Sequence, residues 1–388
     1  MSEVRFLTRE IGSLAKPSWR VKTFAGRPLE DSDVAEAERW GKRLEVEGRE
    51  ELVEGLRAQS LTHEQVDKWA AVYAIRLLEK TGLDVVYDGE QRRTEMYDHV
   101  AAHASGFEPR GTVRSFDNKY YSKAAVVEPP SAGPQDIEEF KFVRAHTERM
   151  VKVPLTGAYT MADWSYDEHY SHEGALGASA AHRYEGRRRF VGDVAENVIH
   201  PNVEGLVAAG ADWLQIDEPA ATTKPDEVPL VVLGFNAAFG AVKGIRKSMH
   251  ICFSDYGALW PHVLELDDCL ELQLEFANRD SRELGTHEED RPGYADTLKL
   301  FKEHGYPDVG LGVLDIHSDF IEPAELVRDR ILYAVDVLGD PGRIQINPDC
   351  GLRTRSWDVV YEKLVNMVEG ARLAERELNR AHAAPAGA

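Results

Sequence analysis

The sequence predicts an α/β protein built as a (β/α)8 TIM barrel, and three observations predict it. Eight apolar, strand-like runs are spaced along 388 residues. Long amphipathic helical stretches separate them, which is the pattern of parallel β/α units. Polar residues with chemical capability follow the apolar runs, at the strand ends where such a barrel assembles its site.

The runs are Phe6 to Ile11, Leu83 to Tyr87, Val151 to Thr156, Trp213 to Ile216, Met249 to Phe253, Leu270 to Leu274, Val309 to Leu314 and Arg343 to Ile346. The first gap is too long for one crossover, so the charged, helix-patterned residues 31–60 are expected to form a two-helix N-terminal insertion. Thr62-His63-Glu64-Gln65 has capping-box spacing ahead of a helix that Gly82 closes. The β-rich stretch Thr112 to Val127 leaves no room for a crossover helix and is expected to be a hairpin excursion beside the barrel. Residues 1–380 are expected to make a single catalytic barrel, and the tail 381–388, with no core-forming pattern, to fray.

Composition excludes several classes of partner. With 67 acidic against 46 basic residues the net charge is -21, which repels nucleic acid and anionic membranes. No apolar stretch approaches the roughly 20 residues that span a bilayer. Met1-Ser2-Glu3-Val4-Arg5 begins no signal peptide, so a cytoplasmic location is expected. Three cysteines in so long a chain cannot build a disulfide framework, and they are expected to stay as thiols.

Thiols suit a metal. On a strand, residues i and i+2 point the same way, so His250 and Cys252 can grip one ion. Glu275 ends the next run and Cys350 the last, which completes a tetrahedral zinc set drawn from three strand ends. Taken alone, His250-Ile251-Cys252 is a pattern that chance supplies in many proteins. Cys269, just before the sixth run, is expected to be a buried core thiol. Asp217 and Asp315 fit a structural role at helix starts as well as a functional one, and His317 fits a buried core histidine.

In their order, these strand-end motifs resemble the C-terminal catalytic barrel of cobalamin-independent methionine synthase. The resemblance runs from Ile11-Gly12-Ser13 to Asn347-Pro348-Asp349-Cys350-Gly351-Leu352-Arg353-Thr354-Arg355. It includes Ile216-Asp217-Glu218-Pro219-Ala220, His250-Ile251-Cys252-Phe253-Ser254-Asp255 and Asp315-Ile316-His317-Ser318. It implies that zinc is held by His250, Cys252, Glu275 and Cys350, and that the substrate is homocysteine. It further implies that Ile11, Gly12 and Ser13 hold the substrate carboxylate, that Glu90 and Asp217 hold its ammonium, and that His317 donates the proton.

The chemistry of the residue types agrees with that assignment. Two carboxylates suit an amino group, a small-residue turn suits a carboxylate, and zinc lowers the pKa of a bound thiol. The expected reaction is transfer of a methyl group to the homocysteine thiol to give methionine. The donor is expected to be either methyltetrahydrofolate or methylcobalamin, the latter carried by a corrinoid protein. Trp164, Lys119 and Tyr120 match the family's donor contacts, whereas a folate-contacting Glu of the family falls at Thr223. The family's long enzymes carry a second barrel that helps to bind folate, and this chain has no room for one, so a separate folate-binding subunit is a further expected partner. The rivals are a zinc-dependent alkyl transferase acting on coenzyme M, whose sulfonate Glu90 and Asp217 would oppose, and a structural zinc staple.

Overall fold

The computed structural model describes residues 3–114, 120–171 and 179–383. Six strands form one parallel sheet, in the order Ile344–Asn347, Asp308–Gly312, Cys269–Leu274, Arg246–Ile251, Trp213–Asp217 and Val153–Thr156. Val85–Val86 pairs in parallel with Met150–Val151, which leads directly into Val153–Thr156. Single parallel bridges close the ring, because Thr8 pairs with Ile346 and Arg9 with Val85. All eight expected strands are therefore present in the expected cyclic order. The first is reduced to bridge residues, since the Thr8 N–H donates to the Asp84 carboxylate at 2.9 Å instead of to a neighbouring strand.

Alternation along each strand sorts the side chains. Leu214, Ile216, Met249, Ile251, Leu272 and Leu274 face outward and join one buried apolar cluster with helix residues such as Phe235, Leu298 and Ile331. The residues between them point inward, and the barrel interior is polar. Arg9 and Glu271 form an ion pair at 2.7 Å with neither side chain exposed. Lys152 donates to the Glu10 and Ile11 carbonyls, at 2.9 and 3.1 Å, and to Gln215 Oε1. Groups from the first, third, fourth and sixth strands can meet this way only inside the ring.

The N-terminal insertion carries the two expected helices, Asp31–Arg43 and Arg49–Ala58, and a short helix Ser18–Phe24 before them. Thr62 caps His63–Lys80 as its spacing predicts: Gln65 N donates to Thr62 Oγ1 at 3.2 Å and Thr62 N to Gln65 Oε1 at 2.9 Å. The excursion is an antiparallel hairpin of Ser105–Arg114 and Tyr120–Ser131, joined by Tyr166–Asp167. It starts earlier than expected because Gly106, Pro109 and Gly111, poor strand formers, mask the first strand in the sequence. The sixth barrel strand begins at Cys269, so this buried thiol lies within the strand rather than before it. The last helix, Trp357–Ala383, continues past the point where fraying was expected, and residues 384–388 lie outside the described residues. Among the described residues no helix is long and apolar enough to cross a membrane.

Candidate metal centre and substrate pocket

His250 and Cys252 leave the end of the fifth strand and Cys350 follows the eighth, all toward the same point. The ligand atoms of these three residues lie within 4.8 Å of one another. His250 Nε2 stands 3.3 Å from Cys350 Sγ, while Nδ1 is 3.0 Å from the Gln273 carbonyl oxygen. A carbonyl only accepts, so it fixes the proton on Nδ1 and leaves the Nε2 lone pair facing the thiols. The thiols share a hydrogen bond, which is the main reason that Cys350 is drawn down to about 5 and Cys252 is pushed up.

Glu275, expected as the fourth ligand, stands beside this group and outside its compact set. Its side chain is fully buried. Oε2 accepts from Phe253 N at 3.0 Å and Asn278 Nδ2 at 3.1 Å, and Oε1 lies 3.3 Å from His317 Nε2. His317 is no core histidine: a third of its side chain is exposed, and its bond to Glu275 raises its pKa. Asp315 pins the turn that presents it, accepting from His317 N and Ser318 Oγ at 2.8 Å each.

Two carboxylates hold backbone rather than ligands. Asp349 is fully buried and accepts from the backbone N–H groups of Phe276, Ala277 and Asn278 at 3.0, 3.0 and 2.7 Å. It ties the loop after Glu275 to the turn that carries Cys350. Only glycine fits at 312, because a Cβ there would fall 2.3 Å from Asp349 Oδ1. Glu218 accepts from Tyr159 N and Thr160 N at 3.0 and 2.7 Å, at the start of the helix Ala158–Trp164. The helix-start role considered for Asp217 therefore belongs to its neighbour.

Asp217 remains for the pocket. It pairs with His250 across the ladder, and Gln215 Nε2 donates to its Oδ1 at 2.6 Å. Burial raises Asp217 to about 7, with the nearby Glu90 adding to the rise and His250 opposing it. Glu90 sits in the left-handed region at φ 55, and burial raises its pKa as well. A Cβ on Gly12 would lie 2.7 Å from Glu90 Oε1, so the small residue lets the first strand end approach the second. Ile11 is buried, and its carbonyl is occupied by Lys152 and Gln215. Ser13 faces the other way, toward Gly351, and its carbonyl accepts from Leu352 N at 2.7 Å. Gly12 and Ser13 thus link the carboxylate pair to the loop of Cys350.

The expected donor contacts are less gathered. Trp164 ends its helix 6.4 Å, ring to ring, from Tyr97, and Lys123 bonds its carbonyl. Lys119 lies outside the described residues, and Tyr120 is placed only as the first residue of its hairpin strand. Thr223 Oγ1 donates locally to the Ala220 carbonyl at 2.9 Å. Sequence reasoning passed over Glu10, Lys152 and Asp349, although charges at Glu10 and Lys152 inside strand-like runs were a legible signal of a polar barrel interior.

The family described as "Cobalamin-independent synthase, Catalytic domain" matches residues 45–373. A protein named methionine synthase from Thermoplasma volcanium is 35% identical over 371 residues, covering 93% of this chain and 96% of its own. One of the same name from Pyrococcus abyssi is 34% identical over 375 residues, covering 96% and 94%. A B12-independent methionine synthase structure from Shewanella sp. W3-18-1, in complex with selenomethionine, shares the fold with a TM-score of 0.68 at 24% identity, covering 96% of this chain and 99% of that one. The family's description overturns the expectation of a methylcobalamin donor, and with it the reason to expect a corrinoid protein. With matches of this extent, the chain belongs to the cobalamin-independent synthase catalytic-domain family and is a methyltransferase.

Proposed function

We propose that this enzyme methylates the thiol of L-homocysteine to form L-methionine, using zinc held by His250, Cys252 and Cys350 and a donor of the 5-methyltetrahydrofolate type. The observation that carries the reading is the adjacency of two unlike subsites at one end of the barrel. A sulfur and nitrogen donor set of the kind zinc prefers lies one ladder pair away from the Asp217 carboxylate. Bound there, zinc would lower the pKa of a substrate thiol and so favour its nucleophilic form.

The chain's own residues supply the rest. Glu90 and Asp217 hold the substrate ammonium, and the Gly12-Ser13 turn receives its carboxylate. This orients the thiol toward the metal-binding group. His317 Nε2, held by Glu275, delivers a proton to the departing methyl carrier. Glu275 is the natural fourth group for the metal when no substrate is bound, since its carboxylate already borders the three ligands. Trp164 offers a ring to the donor. The same carboxylates weigh against coenzyme M, whose sulfonate would meet Glu90 and Asp217. Reduced thiols accord with a cytoplasmic location.

The test is metal-loaded protein with homocysteine and 5-methyltetrahydrofolate, scoring methionine by mass spectrometry, with methylcobalamin in parallel. Methionine is expected from the folate and none from methylcobalamin. Product from methylcobalamin alone would overturn the donor assignment, and failure of homocysteine to bind would overturn the acceptor. Turnover that appears only after adding a second folate-binding chain would identify the enzyme as one subunit of a pair.

A further inference from the structure

Glu10 lies one residue before the Ile11-Gly12-Ser13 turn and is 1% exposed. Among the described residues it is the one carboxyl group with both oxygens buried and neither hydrogen-bonded. The groups that act on it come from three directions: Lys152 from the third strand, Asp88 and Glu90 from the end of the second, and Asp217 from the fourth. Lys152 does not complete it, because its ammonium is committed to the Glu10 and Ile11 carbonyls and to Gln215. A buried polar group without a partner is costly, and a native structure keeps one where something else completes it.

We propose that Glu10 is a third carboxylate for the amino group of the substrate, closing the cation site begun by Glu90 and Asp217. This rests on the homocysteine assignment above. An ammonium has three N–H donors, and three acidic groups around it can accept all of them. Burial raises Glu10 to about 8, so at neutral pH it keeps its proton. An arriving cation favours the ionised form, and the proton leaves to solvent. Above about pH 8 Glu10 is already ionised and that release disappears.

Isothermal titration of metal-loaded protein with homocysteine and with 4-sulfanylbutanoate, which keeps the thiol and carboxylate and lacks the amine, tests the proposal. Glu10→Gln should weaken homocysteine about tenfold at pH 7 and leave the amine-free analogue within about twofold. In paired buffers of different ionisation enthalpy, homocysteine should release more protons than the analogue from the natural protein, and the excess should fall in Glu10→Gln to the share released by Asp217 and Glu90. Glu10→Asp, which keeps the charge, should recover part of the amine-dependent affinity. Equal weakening of both ligands, or unchanged homocysteine binding, would overturn the role of Glu10. Should the natural protein bind the analogue but not homocysteine, or neither, the homocysteine assignment itself falls. The proton count on the natural protein keeps the proposal falsifiable if Glu10→Gln folds poorly.

Discussion

Replacing Asp349 should loosen the metal site without removing a metal-binding atom. Its Oδ1 accepts from Phe276 and Ala277 and its Oδ2 from Asn278, so one carboxylate holds three consecutive backbone donors. In Asp349→Asn the amide oxygen can keep the first two, while the NH2 group is turned against the Asn278 N–H. One buried donor left unsatisfied costs about 1–3 kcal/mol. Asp349→Ala abandons all three, and a loss of about 3 kcal/mol or more follows on the same scale. The loop so released carries Asn278, which bonds Glu275, and the turn carries Cys350. Metal affinity should fall about 10- to 100-fold, the usual effect of losing a group that orients a ligand. Guanidinium unfolding of the metal-free protein gives the first quantity and competition with a chromophoric chelator the second. If Asp349→Ala unfolds at the natural midpoint and binds metal as tightly, the loop is not held by this carboxylate.

Cys350→Ser should lose metal binding and activity together, whereas Cys269→Ser, buried at the start of the sixth strand and away from the Glu275 end, should keep its metal content on elemental analysis. His317→Gln should keep the metal and lower kcat by about 10²- to 10⁴-fold, as for a lost proton donor. Unchanged turnover in steady-state kinetics would dismiss that role. Asp84→Asn probes the far end of the barrel. Burial alone would raise the Asp84 pKa, but bonds from Thr8 and Arg372 outweigh it and hold the carboxyl low. The stability it contributes is therefore full above an unfolded pKa of about 3.9 and is lost as pH falls through the lower folded value. The difference in urea stability between the natural protein and Asp84→Asn should be constant near neutrality and shrink below about pH 4. A difference that grows on acidification would contradict it.

Strand positions and their order were legible because apolar runs and helical periodicity are local signals. The alternation Trp213-Leu214-Gln215-Ile216-Asp217 even tells which side chains turn inward: Gln215 meets Lys152, the Ile11 carbonyl and Asp217 inside the ring, while Leu214 and Ile216 join the outer apolar cluster. The hairpin's first strand was not legible, because Gly106, Pro109 and Gly111 carry no strand pattern and are held by pairing with Tyr120–Ser131. Glu218 and Asp349 were passed over as functional supports for a different reason. A carboxylate that caps backbone N–H groups reads, in sequence, like any other acid beside an active-site motif.

By itself the sequence located the ring of strands and, at the strand ends, four candidate metal ligands, His250, Cys252, Glu275 and Cys350, since residue type and strand-end position are local; the carboxylates Glu90 and Asp217 were picked out by the family resemblance. Tertiary structure alone decided how those groups share space. It drew His250, Cys252 and Cys350 into one group and left Glu275 bonded to Phe253, Asn278 and His317. It also buried Glu10 among groups from three strands, without a partner for either oxygen. The physical reason is that ligand distance and burial are properties of chain segments far apart in sequence. They are fixed only when the barrel closes and each carboxylate must find a donor or go without.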